Sequence, residues 1–252
     1  MELISIAILG AVSGLMIGCI GIGGVILVPT LVFLVGIPIK IAIAAAMLGY
    51  IPAGLVATVV FARNKTIHWG MAGWLCVGAA PGAFAGAWAV SVFNHLLLEI
   101  CLGVLTLLSG LNSLRTQKSG ESADGAAISN ATLVGVGTFT SFLSALTGTG
   151  GPLVLVPIMI SLSVPVLTAI GLSQAIQLPV AIAATVGNMI YGQIDLALGG
   201  ILAASLTVGS WFGAKLAHVV PRQILRRIVS VVLVIVGVFI FVNAGRELVG
   251  RF

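Results

Sequence analysis

Charge is what this chain has least of. Its 252 residues include 11 Lys and Arg and 6 Asp and Glu, against 60% hydrophobic residues. A soluble domain carries roughly a quarter of its residues as charges to cover its surface, so an ordinary soluble protein is excluded and most of the surface must face lipid. Cysteine is also sparse. Cys19, Cys76 and Cys101 all lie in apolar stretches, are odd in number and show no CxxC spacing, which excludes a zinc site and predicts buried free thiols. The three histidines, His68, His95 and His218, are dispersed. No Ser or Cys nucleophile has an identifiable base, so the sequence does not read as an enzyme. The densest basic cluster, Arg222, Arg226 and Arg227, sits between two apolar runs and lacks the interleaved polar and stacking residues of a nucleic-acid footprint. The net charge of +5 is read instead as Lys and Arg in cytoplasmic loops.

What is present is a series of apolar stretches, at 3–20, 24–36, 39–61, 69–92, 96–114, 128–147, 151–163, 166–190, 195–219 and 223–243. Several reach the roughly 20 residues that a helix needs to cross the hydrocarbon core. The stretches 24–36 and 151–163 are too short, and each follows a glycine cluster. The start, Met1 to Gly18, lacks the basic residues that open a secretory signal and reads as a retained membrane segment. The long polar segment in mid-chain, beginning at Arg115, reads as a solvated linker.

The two halves repeat. A shift of 127 residues superposes Gly21, Gly23 and Gly24 on Gly148, Gly150 and Gly151, Pro38 on Pro165, Pro52 on Pro179, Gly82 on Gly209 and Gly86 on Gly213. Pro29 and Pro157 differ by 128, a one-residue slip that is undone before Pro38. Apolar composition alone does not align this many prolines and glycines at one offset, so the chain is read as a duplication: 1–114 as first repeat, 115–127 as cytoplasmic linker, 128–252 as second repeat.

The basic residues test the relative orientation of the halves. With 3–36 counted as one broken helix, ten of them, Lys215 apart, divide six against four. If 3–20 and 24–36 instead go in and come back, Lys40, Arg246 and Arg251 share one side, while Arg63, Lys65, Arg115, Lys118, Arg222, Arg226 and Arg227 share the other. Seven against three is the better separation. By the positive-inside rule the seven are cytoplasmic and both termini lie outside, which gives each half an odd number of crossings and inverts the repeats. The expected fold is an all-α polytopic membrane protein of two inverted repeats. Each has about three full transmembrane helices and a glycine-broken helical hairpin, 8–10 helical segments in all.

Irregular backbone at membrane depth is tolerated where it lines a cavity. Gly21-Ile22-Gly23-Gly24 and Gly148-Thr149-Gly150-Gly151 are therefore read as a substrate site. Each opens a short helix whose free N–H groups and positive dipole end favour an anion, and Thr149 is expected to add a hydroxyl donor. Val at Gly23 or Gly150 is expected to stop transport in a folded protein. Gln174, Gln177 and Asn188 fall within about 80° on a helical wheel and line one stripe, facing the same site or bonding to neighbouring helices. His68 and Asp195, equivalent by repeat, are candidates to carry a coupling proton or else cap their helices. Glu99 and Arg226 are also equivalent and are expected to snorkel to the interface. Gly10/Gly14/Gly18, Gly78/Gly82/Gly86 and Ser205/Gly209/Gly213 recur every four residues as close-packing faces. With no carboxylate expected in mid-span, a cationic substrate is disfavoured.

These residues resemble a known family. Gly21-Ile22-Gly23-Gly24 with Pro29, Lys65-Thr66-Ile67-His68-Trp69 and the Gly78/Gly82/Gly86 face are similar to the first half of the TauE/SafE family, the toluene-sulfonate uptake permeases. Gly148-Thr149-Gly150-Gly151, Pro157, Pro165, Gly192-Gln193-Ile194-Asp195 and Gly209/Gly213 are similar to its second half. Lys65 and His68 replace the Gly and Asp of the more usual Gly-x-Ile-Asp pattern. The resemblance implies a bacterial-type inner-membrane exporter of sulfite, a sulfonate or a related organic anion. A channel on the same scaffold and a non-transporting assembly subunit are the alternatives. The expected partners are the bilayer and a small anion, with no nucleic acid, cofactor or metal, and the sequence assigns no oligomeric state.

Overall fold

The computed structural model describes residues 2–21, 23–114, 128–217, 219 and 238. Among them are nine helices and no strand: α1 Glu2–Ile20, α2 Gly24–Phe33, α3 Ile39–Arg63, α4 Trp69–Val92, α5 His95–Leu114, α6 Asn130–Thr147, α7 Pro152–Ser161, α8 Val166–Tyr191 and α9 Leu196–Leu216. Ile22, the 115–127 linker, His218, Arg222, Arg226, Arg227, Arg246, Arg251 and the 223–243 stretch lie outside the described residues. The helix ends follow local chemistry. Pro38 and Pro165 precede α3 and α8 with φ of −54° and −55°, and Ser129 caps α6 by accepting from the Thr132 amide. Four helices, α3, α4, α8 and α9, are long and apolar enough to cross a membrane. The outer surface exposes Leu3, Ile4, Ile8, Val77, Val92, Ile190 and Val208, large apolar side chains that lipid accommodates and water does not.

The one-residue slip has a structural location. The residues that cap α2 and α7 are Gly23 and Gly151, 128 apart like Pro29 and Pro157, whereas the left-handed residues after those helices, Gly36 and Ser163, are 127 apart. The second break is therefore one residue longer, and the turn after α7 absorbs the difference.

Packing exchanges the repeats. The first helix of each lies along the fourth helix of the other, α1 on α9 and α6 on α4. The contacts correspond residue by residue. A Cβ on Gly82 would stand 2.2 Å from the Thr138 carbonyl, and one on its equivalent Gly209 would stand 2.1 Å from the carbonyl of Ala11, the equivalent of Thr138. Gly86 lies in the same way on Phe142 and Gly213 on Leu15. Helix backbones approach this closely only where no side chain intervenes, as in membrane bundles generally. The helices before and after residues 115–127 thus pack across that division. At the centre, α3 and α8 are equivalent helices that pack on each other. Gly54 lies beside Gln177 and Leu178, and the Thr58 hydroxyl donates to the Gln174 carbonyl at 2.9 Å. Residue numbers rise along one helix as they fall along the other, an antiparallel register that brings Pro52 level with Pro179.

Candidate functional site

The two breaks meet. Gly21 has φ of +82° and its N–H closes α1 on the Ile17 carbonyl. In the second break Gly148, Gly150 and Gly151 all have positive φ, which L side chains adopt only with strain. A Cβ on Gly24 would stand 2.2 Å from the Thr149 carbonyl and 2.8 Å from the Tyr50 hydroxyl, so the start of α2 rests on the second break. Two side chains tie this junction crosswise. Tyr50 of α3 donates to the Gly148 carbonyl at 3.1 Å, and Gln174 Nε2 of α8 donates to the Ile17 carbonyl at 2.7 Å. Each central helix therefore holds the break of the other repeat.

This geometry corrects several expectations about the breaks. Gly23 is not a bare peptide facing open space, because a Cβ there would stand 1.9 Å from the Ser13 carbonyl of α1. Val at that position would disrupt the hairpin itself. Gly150 faces the Tyr50 ring, and Gly151 alone of the second break's glycines has no atom closer than 3.9 Å to an added Cβ. Thr149 does not offer a free donor. The Thr147 hydroxyl donates to the Leu143 carbonyl, so the 3.1 Å contact between Thr147 and Thr149 uses the Thr149 proton. Of the cysteines, Cys19 is buried and donates to the Gly213 carbonyl, while Cys76 and Cys101 are only half-buried.

The polar stripe of α8 is fully enclosed. Gln174, Gln177, Thr185 and Asn188 are all buried. Relative to Gln174 they lie at successive multiples of the helical step that keep them on one face. The stripe extends about 21 Å, from 14 residues at 1.5 Å each. Its hydrogen-bonding capacity is largely unused. Both polar atoms of Gln177, Gln174 Oε1, Thr185 Oγ1 and Asn188 Nδ2 have no partner, and neither does Ser141 Oγ on α6. Buried polar atoms are nearly always paired, and leaving one unpaired costs about 1–3 kcal/mol. A run of them along one helix face is costly unless a polar occupant completes their hydrogen bonds. The bonding of amides to neighbouring helices is thus met by Gln174 Nε2 and not by Gln177. Thr185 joins the stripe beyond the three residues expected there, and its spacing of eleven residues from Gln174, about three helical turns, is the sequence signal for it. Ser141 carried no such signal.

His68 and Asp195 are both exposed and hold equivalent places as helix N-caps. His68 Nδ1 accepts from the Met71 amide at 3.4 Å, and Asp195 Oδ1 from the Leu198 amide at 3.0 Å. Replacing either with Ala is expected to lower stability by about 1 kcal/mol through the lost cap and to leave substrate flux unchanged. Detergent thermal unfolding alongside vesicle flux checks both parts. Glu99 departs from expectation in the other direction. It does not snorkel outward; it is 1% exposed and faces the interior from α5.

An all-helical bundle with an apolar exterior and helices long enough to cross a bilayer is the architecture of a multi-pass membrane protein. The sequence matches the sulfite exporter TauE/SafE family over residues 6–240, and the chain belongs to that family. It is similar to the probable membrane transporter protein YunE of Bacillus subtilis (strain 168), 25% identical with 94% of this chain and 96% of that one covered. It is similar also to the probable membrane transporter proteins MJ0441 of Methanocaldococcus jannaschii, at 24% identity over 92% of each chain, and YdhB of Bacillus subtilis, at 24% over 90% of this chain and 95% of that one. No solved structure matches the chain. The protein is a membrane transporter.

Proposed function

We propose that this transporter is a secondary carrier that exports a small sulfur-containing anion, sulfite, a sulfonate or a related organic anion, by alternating access around the two glycine breaks. The observation that carries the reading is the buried run of unpartnered groups at Gln174, Gln177, Thr185 and Asn188. Amides and hydroxyls offer several donors to an anion in a water-poor interior, where each hydrogen bond is stronger than in water. Gly21, Gly23 and Gly24 with Gly148, Thr149, Gly150 and Gly151 form the hinge and wall of this site. Ile22 belongs to the same break by sequence. Export and the sulfur chemistry follow the description of the family.

The antiparallel register of α3 against α8 supports inverted repeats, 1–114 and 128–252, because equivalent helices that cross a bilayer in opposite senses place their repeats upside down to each other. The seven basic residues assigned to one side then mark the cytoplasm, with both termini outside and the cell inner membrane as location. Reconstitution into liposomes tests the function. Labelled sulfite and methanesulfonate are expected to enter saturably and to exchange against internal anion faster than in protein-free vesicles. Conductance without saturation would make it a channel, and absence of any flux would overturn the carrier reading.

A further inference from the structure

The unpartnered groups on α8 fall into two clusters of different chemistry. At the first, Gln174 Nε2 is spent on the Ile17 carbonyl, which leaves Gln174 Oε1 without a donor, and Gln177 adds a free carbonyl and a free NH2 group. Acceptors outnumber donors there. At the second, the unused groups are the Thr185 hydroxyl and the Asn188 Nδ2 amide, both able to donate. Thr185 is 4% exposed and Asn188 2%, so bulk water does not reach them. The Thr185 hydroxyl also stands off its own helix. A threonine inside a helix can donate to the carbonyl four residues before it, and Thr58, Thr138, Thr140, Thr147 and Thr207 all do. Thr185 makes no such bond. Nor does α3 supply a partner. Thr58 stands beside Gln174 and Gly54 beside Leu178, and the same antiparallel register brings Met47 level with Thr185 and Ala44 level with Asn188, both apolar and buried. By repeat, Thr185 corresponds to Thr58, whose hydroxyl is spent on the Gly54 and Gln174 carbonyls, and Asn188 to Phe61. The first repeat therefore has no copy of the donor cluster.

We propose that Thr185 and Asn188 form the subsite where the oxyanion of the substrate rests, apart from the glutamines; the proposal rests on the carrier reading above. The distance separates the two ends. From Gln177 to Thr185 is eight residues, about 12 Å along the helix, with the buried Ala181 and Ala184 between. Helical side chains lean toward the N-terminus, which carries the glutamine amides further from Thr185. A small oxyanion with hydrogen bonds of about 2.8 Å on either side spans less than this gap, so it does not occupy both clusters at once. The chemistry then chooses between them. Carbonyl oxygens at Gln174 and Gln177 repel a bare oxyanion, whereas a hydroxyl and an amide NH2 group complete one. The glutamine end is a station that the anion passes, guided by the single NH2 group of Gln177.

Equilibrium binding of labelled methanesulfonate to the protein in lipid nanodiscs tests the assignment. Thr185→Val and Asn188→Leu are each expected to weaken binding about tenfold or more, and Gln177→Leu by less than about twofold although it stops flux, the loss of a hydrogen bond to an anion setting the scale. Thr185→Ser keeps the hydroxyl and is expected to keep the affinity. A threonine that only fills space gives the reverse order, with Thr185→Val tolerated and Thr185→Ser impaired, and that order would overturn the proposal. Binding lost in Gln177→Leu as fully as in Thr185→Val would overturn it too. The threonine pair decides the matter if Asn188→Leu does not fold. A density map with 2-bromoethanesulfonate, whose bromine marks the ligand, is expected to place the sulfonate against Thr185 and Asn188; ordered water alone there, with the anion elsewhere, would sink the subsite. Wild-type protein that ignores sulfite and sulfonates but binds nitrate or acetate, weakened in Thr185→Val, would refute the sulfur-anion reading and leave the subsite standing. Saturable sulfite flux that Thr185→Val leaves unchanged would do the opposite.

Discussion

Gln177→Leu is expected to give a protein that is more stable to heat and transports nothing. The two effects have one cause. Both polar atoms of Gln177 are buried without a partner beside Gly54, and an unsatisfied buried group costs about 1–3 kcal/mol. Leucine is close in volume and removes that cost. It also removes a donor and an acceptor from the middle of the α8 stripe, where nothing else on α3 replaces them: the repeat-equivalent residue is Tyr50, already bonded to Gly148. Thermal unfolding in detergent and saturable flux in vesicles, measured on the same preparation, check the pair of outcomes. A structural amide would show the opposite pattern, with lower stability and flux falling only with the amount of folded protein. Gln174→Leu provides the comparison. It is expected to lose stability as well as flux, because its Nε2 holds the Ile17 carbonyl at the end of α1.

Gly24→Val is expected to abolish the folded state. The added side chain would have to occupy the space of the Thr149 carbonyl, 2.2 Å from the Cβ position, with the Tyr50 hydroxyl 2.8 Å away. Forcing extra atoms into a well-packed core costs about 1–3 kcal/mol, occasionally more. Here both sides of the clash are main chain, and neither can move without separating the breaks. Gly73→Ala and Gly200→Ala are the controls. They are equivalent by repeat, lie within α4 and α9, and meet nothing within 4 Å, so each is expected to be neutral or to stabilise by about 0.5–1 kcal/mol. Size-exclusion profiles of the three variants separate the outcomes. A monodisperse, wild-type-stable Gly24→Val would mean that the two breaks do not rest on each other.

Much of this arrangement was legible in the residues. Glycine and proline act on the backbone directly, so Gly21, Pro38, Gly148 and Pro165 placed the helix ends without reference to any neighbour. The spacing of Gln174, Gln177 and Asn188 likewise fixed their common face, because helical geometry alone decides it. The errors came where a residue's role depends on what stands opposite. Glu99 near the start of an apolar stretch read as an interfacial charge, and only the packing of α5 on its neighbours buried it. Gly23 read as an open peptide, and the return of α2 onto Ser13 closed it.

The sequence by itself determined that the chain is an apolar bundle of helices with two glycine breaks, since hydropathy, proline and glycine act over a few residues at a time. The tertiary structure alone decided that each repeat packs its first helix on the other repeat, that Gln174 is spent on α1 while Gln177 is free, and that Glu99 turns inward. The physical reason is the solvent. In water a helix shows its buried face as an apolar stripe, but in lipid the outer face is as apolar as the inner one, so the pattern that names a helix does not name its partner.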